Sequence, residues 1–158
     1  MAEHYPLIFT YRDLVEGMGF LAEVVAEGRV LAVTEGPDSY WMFGVNPGGL
    51  AEGAKSTAET QRLFREAYRA VLFDLIAESK DFAEFKAKAE SFFRETNEAV
   101  EAEWKTAVTA IRQGKVKVDT TGVPKKPAET PVSFTVSEKR DFTPKANRLE
   151  EREPAIAA

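Results

Sequence analysis

The chain contains no cysteine and a single histidine, His4, among 158 residues. The first absence excludes disulfides, thiolate metal sites and cysteine nucleophiles. The second leaves a histidine-based zinc site or a catalytic triad without its partners. Long hydrophobic runs are also missing: no stretch approaches the roughly 18 apolar residues that span a bilayer. The N-terminal Met1–Pro6 lacks a basic region followed by an apolar run, so it does not read as a signal peptide. The expectation is a soluble, cytoplasmic protein in a reducing compartment.

Positive charge is scarce in the first part of the chain. Residues 1–114 hold twelve Lys/Arg against nineteen Asp/Glu, a net of −7, whereas residues 115–158 hold nine against seven, a net of +2. An acidic body argues against broad binding to a phosphate backbone and suits a basic protein partner. What is abundant is core-forming material, with 44% hydrophobic residues and 11 Phe, enough to bury a core for one compact domain.

Strand patterns come first. Tyr5–Tyr11 and Phe20–Ala26 are rich in β-branched and aromatic residues, with Gly17 and Gly19 marking a turn between them. Glu27-Gly28-Arg29 reads as a hairpin connection into a third strand, Val30–Glu35. Gly36-Pro37-Asp38 leads to a fourth, Tyr40–Val45. Short turns between four strands point to an antiparallel meander.

Helix patterns follow. Ser56-Thr57-Ala58-Glu59 reads as a capping box, and Leu63, Ala67, Val71 and Leu75 run beside Phe64, Tyr68, Leu72 and Ile76 as a wide apolar stripe. Asp81 or Ser79 caps a second helical run that keeps its apolar spacing through Phe82, Phe85, Ala89, Phe92, Phe93, Val100, Trp104, Val108 and Ile111. That run, 81–113, is long for a globular helix, and Thr96-Asn97 is the place for a break.

The fold expected is therefore α+β: an antiparallel sheet of three to four strands packed by one capped helix, a long second helix, and an irregular C-terminal tail. Residues 1–114 form the domain with its helical extension. Residues 115–158 form a proline-rich, partly disordered tail in which Val116 with Val118, and Val132–Val136, could make short strands, and Thr143–Ala158 would be mobile.

Candidate chemistry is thin. Asp13, Glu23, Glu27 and Asp38 are the carboxylates from which a metal-dependent nuclease site could be assembled; as turn and solvated strand positions they need no such role. Gly44–Gly53 has neither the GxGxxG nor the Gly-Lys-Ser/Thr pattern of a phosphate loop, and reads as a structural turn. Tyr40, Trp41, Met42 and Phe43 form either an aromatic face for a partner or dimer mate, or a strand buried on both sides. Phe92, Phe93 and Trp104 belong to a stripe that is either core or oligomer seam. Lys125, Lys126, Lys139, Arg140, Lys145 and Arg148 are interrupted by acids and read as a solvated tail.

Tyr40, Trp41, Gly44, Pro47, Gly48 and Gly53, then Ser56, Thr57 and Glu59, then Ala70, Leu72, Leu75 and Ile76 follow a pattern that resembles the HicB-like antitoxins over residues of about 7–79. The chain departs from that pattern at Gly49, where the family has cysteine, and by one extra residue at Ala54-Lys55. The resemblance implies a partial RNase-H-like domain without catalytic carboxylates. It also implies a non-catalytic antitoxin that sequesters a small, basic, RNA-cleaving HicA-like toxin, as a homodimer or higher oligomer and with no cofactor or metal. Many such proteins add a DNA-binding module. No clear copy stands here, although Val132–Val136 could imitate the strand of a ribbon-helix-helix. Without a toxin, the same fold would suit a self-associating structural or regulatory protein.

Overall fold

A computed structural model describes residues 2–114 and 132–139. The elements follow in the order β1 (Glu3–Glu16), β2 (Leu21–Thr34), β3 (Tyr40–Asn46), β4 (Ala51–Ala54), α1 (Thr57–Ala77), α2 (Phe82–Arg94), α3 (Glu98–Arg112) and β5 (Ser133–Glu138). The class is α+β with a wholly antiparallel sheet.

β2 is the spine. One of its edges pairs with β1 along the full length, Glu3 opposite Thr34 and Glu16 opposite Leu21. Two strands share its other edge in succession: β5 pairs with Ala22–Glu27 and β3 with Arg29–Thr34. β4 adds outside β3. Side chains alternate between faces along a strand, so β2 feeds two cores. Ala22, Val24, Ala26 and Val30 join Phe9, Tyr11 and Val15 of β1 in the larger one, roofed by α1 and α2. Leu31 and Val33 join Val45 on the opposite face beneath Trp104, Ala107 and Val108 of α3.

This division explains the helical run. The stripe over 81–113 is continuous in sequence, but its first half serves one face of the sheet and its second half the other. A single straight helix cannot do both, and the run splits into α2 and α3. Glu95 caps α2 in an extended conformation, and Asn97 caps α3 by accepting the Val100 N–H at 3.2 Å.

Two expectations need correction. Glu27-Gly28-Arg29 is not a hairpin: the expected second and third strands are one continuous β2. Gly28 is absent from the positive-φ glycines, which are Gly19, Gly36 and Gly114. A Cβ at Gly28 would overlap the Asn46 carbonyl and lie 3.1 Å from the Phe93 ring, so this glycine permits close approach and not a turn. Ala51–Ala54, expected as loop, is the edge strand β4. The short strand expected within the tail at Val132–Val136 forms as β5, Ser133–Glu138, and belongs to the sheet: Phe134 and Val136 are buried, and the Phe134 ring stacks on Phe93 with centroids 4.9 Å apart. The strand suggested at Val116 and Val118, the mobile segment Thr143–Ala158, and Lys125, Lys126, Arg140, Lys145 and Arg148 lie outside the described residues.

Candidate functional site

β3 carries the aromatic candidates to both faces of the sheet. Met42 is buried beneath α1, and Tyr40 is half-buried, its carbonyl accepting the Thr60 hydroxyl at 3.4 Å. Phe43 packs against the α3 core. Trp41 remains 41% exposed and stacks on Phe43, with centroids 5.8 Å apart and planes 14° from parallel. Gly53 lies directly across from Trp41, where a Cβ would meet the indole at 2.6 Å. The glycine of β4 thus lets the indole lie flat over the edge strand, half covered and half presented to solvent.

The other aromatic candidates are spent inside the chain. Phe93 and Trp104 are fully buried, one in each core, and Phe92 is half-buried against Tyr68, with ring centroids 6.1 Å apart. Met42, Phe93 and Trp104 therefore offer no free partner face. The stripe is intrachain core because the sheet presents two apolar faces and each needs a helix.

Pro47 and Gly48 sit in the β3–β4 turn and hold the break between α2 and α3. The Gly48 N–H donates to the Glu95 carbonyl at 2.9 Å, and the Asn97 N–H donates to the Val45 carbonyl at 3.1 Å. Any side chain at 48 would collide with Glu95 and Asn97. Ser56 caps α1, its Oγ accepting the Glu59 N–H at 3.1 Å. The Glu59 carboxylate does not close the box; it lies 3.6 Å from Arg62.

The densest polar cluster is one that sequence reading missed. Arg29, 8% exposed, donates from Nη2 to Asn46 Oδ1 at 2.6 Å and sits 2.8 Å from a Glu101 oxygen, with its guanidinium 5.4 Å above the Trp104 ring. Asn46 in turn donates to the Thr96 hydroxyl at 2.8 Å. The cluster ties β2, β3, the helix break and α3 together. Its charges are paired and its amide is engaged at both ends, the arrangement of a structural clasp. The available signal was parity: Arg29 shares its face with Leu31 and Val33, a pattern visible only once β2 is read as one strand.

The carboxylates do not converge. Asp13 accepts from Tyr11 at 3.0 Å and pairs with Arg69 of α1 at 3.2 Å. Glu23 projects from the other face, where Lys139 at 2.9 Å and Arg12 at 2.7 Å hold its pKa below the ordinary glutamate value. Asp38 sits exposed in the β2–β3 turn. No group of three His, Cys, Asp or Glu able to hold a metal occurs among the described residues. His4 pairs with Glu103 of α3 at 3.2 Å, and Gly44–Gly53 is a hairpin in which the Gly44 N–H donates to Leu50. No helix among the described residues is long and apolar enough to cross a membrane.

Behind β1 lies an aromatic wall. Phe9 meets Phe64 edge-on at 5.1 Å and Tyr11 meets Tyr68 at 4.8 Å. Arg65 spans both β1 rings and donates to the Thr10 carbonyl at 2.7 Å, covering the outer edge of β1, which would otherwise invite another strand. The Tyr68 hydroxyl is buried without a hydrogen-bond partner, and burial raises its pKa. Large apolar side chains reach solvent at Leu14, Met18, Val25, Trp41 and Phe73.

Comparison with protein-family models, with curated proteins and with solved structures finds no match.

Proposed function

We propose that this protein is a non-catalytic protein-binding domain, and that its HicB-like sequence pattern marks it as an antitoxin that masks a small, basic, RNA-cleaving toxin. The observation that carries the reading is the Trp41–Phe43 stack: a half-exposed indole held flat over Gly53 at a sheet edge. Tryptophan in this setting is the kind of anchor around which interfaces concentrate their affinity. The net −7 of residues 1–114 gives a basic partner long-range attraction.

The test is co-expression with a small basic protein that carries a lone histidine and is encoded beside this chain; the lack of any such neighbour would count against the antitoxin reading. The pair should co-purify, RNA cleavage by the partner should stop, and Trp41→Ala should weaken the complex by about 2 kcal/mol or more. Undiminished RNA cleavage in the presence of excess folded protein would reject the antitoxin reading. Metal-dependent cleavage of RNA or DNA by the purified chain alone would reject the non-catalytic one.

A further inference from the structure

Three of the five exposed large apolar side chains among the described residues, Leu14, Met18 and Phe73, line one groove of about 650 Å³ between the tip of the β1–β2 hairpin and the C-terminal half of α1. Met18, at 80% exposed, is the most open of them. Ile76 and Ala77 complete the apolar floor. Scattered apolar residues on a surface are ordinary, but a gathered set in a concavity marks a contact site.

The charges free at the groove are mostly acidic. Glu16 stands in its wall, and Asp74 and Glu78 are exposed on α1 beside Phe73 and Ala77. The last turn of α1 carries no basic residue, but its carbonyls are taken, that of Asp74 by the Glu78 N–H, that of Leu75 by the Ser79 hydroxyl and that of Ile76 by the Ser79 N–H, so the anionic groups left to a cation are the Glu16 and Asp74 carboxylates. Nearby cations are engaged. Arg69 is tied to Asp13 and lies over the Phe73 ring at 5.2 Å, and Lys88 of α2 reaches Glu84, Glu78 and the Glu78 carbonyl. Lys80, beyond the Ser79 end, is the exception.

We infer that this groove docks a basic amphipathic segment of another protein, its large apolar side chain seated between Met18 and Phe73 and its flanking Lys or Arg set against Glu16 and Asp74. The surface is separate from the Trp41 stack, and the inference stands whether or not a toxin binds there.

A synthetic amphipathic helix of leucine and lysine, titrated into the full chain, is the probe; the matching helix of leucine and glutamate is its control. The lysine helix should shift the Met18 methyl resonance and the amides around Phe73. The control should bind at least about tenfold more weakly. Phe73→Ser, which leaves every charge in place, should weaken the lysine helix by a similar factor, while Trp41→Ala should leave it unchanged. Equal binding to wild type and Phe73→Ser, or equal binding of both helices, would overturn the inference. So would a dimer in sedimentation that Met18→Glu converts to monomer, since the groove would then hold a second copy. Should Phe73→Ser fail to fold, Met18→Ser, read by the amides around Phe73, takes its place and should weaken the lysine helix by the same factor.

Discussion

Single side chains in this protein do work that composition does not announce. Arg29 is one of twelve Lys/Arg in residues 1–114, yet it alone is buried, among Asn46, Glu101 and Trp104. Its role is hidden in the sequence by Gly28, because glycine serves tight turns and close approach equally well and only the neighbouring chain distinguishes them. Gly28→Ala tests the second role: the new methyl must displace the Asn46 carbonyl, and overpacking of this kind costs about 1–3 kcal/mol, measurable by chemical denaturation. A stability equal to wild type would show that β3 yields there easily. Tyr68 makes the opposite case. Its hydroxyl is buried with no partner, a state that costs about 1–3 kcal/mol, so Tyr68→Phe should hold or raise stability where most core changes lower it. Burial also raises the Tyr68 pKa, and the neighbouring Tyr11 adds to it. A raised pKa contributes stability that is complete below the ordinary tyrosine value of about 10 and is lost as pH climbs beyond it. Tyr68→Phe should therefore flatten the alkaline limb of the pH–stability curve, and an unchanged limb would assign that loss to other groups.

At the scale of elements, helices were legible and strand partners were not. The i, i+4 row Phe64, Tyr68, Leu72, Ile76 is the buried row of α1, and the weak helix formers Thr96 and Asn97 lie at the break between α2 and α3. Helical signals are local, fixed by spacing within a few turns and by caps. Sheet pairing is set by residues far apart. Nothing within Leu21–Thr34 reveals that β5 takes its first half and β3 its second, nor that a segment more than a hundred residues downstream contributes Phe134 to the core. Of the candidate surface, the aromatic run of β3 was visible as such, but its split into buried Met42 and exposed Trp41 depended on which face α1 covers. The cap of α1 can be examined in isolation. Ser56 Oγ serves the Glu59 N–H while the Glu59 carboxylate is engaged elsewhere, so Ser56→Ala should lower stability by about 1 kcal/mol. Glu59→Ala should cost less, because its pairing with Arg62 is an exposed one of small value. A larger loss from Glu59→Ala would mean that the reciprocal half of the box forms in solution.

Across the whole molecule, α3 covers only part of the second face of the sheet, and the remainder, where β1, β2 and β5 run side by side, is open to solvent, with polar side chains around the exposed Leu14 and Val25. Glu23 of β2 stands at its centre, taking Lys139 beyond β5 on one side and Arg12 of β1 on the other. The hydrogen bond from Lys139, then that from Arg12, lowers the Glu23 pKa. A depressed carboxylate pKa contributes stability that is complete above the ordinary glutamate value of about 4.3 and disappears as pH falls through the depressed one. As pH falls through that depressed value, β5 should accordingly loosen before β1, starting at its Lys139 end, because Lys139 loses its partner there while β1 keeps its full-length pairing with β2. Hydrogen exchange can follow this strand by strand: the Thr135 and Ser137 amides, which face β2 in the register that the Lys139 N–H to Leu21 carbonyl bond sets, should lose protection at a higher pH than those of Phe9 and Tyr11. Glu23→Gln should weaken β5 at neutral pH and remove most of its acid dependence, and moderate salt should imitate the substitution, since screening acts on exposed pairs. Glu84 supplies the control. Its pKa is also lowered, by the Lys80 backbone N–H and by Lys88, but it lies at the start of α2, so Glu84→Gln should leave the β5 profile where it was. Acid loss of β5 that persists unaltered in Glu23→Gln would place the attachment of that strand in Phe134 and Val136 alone.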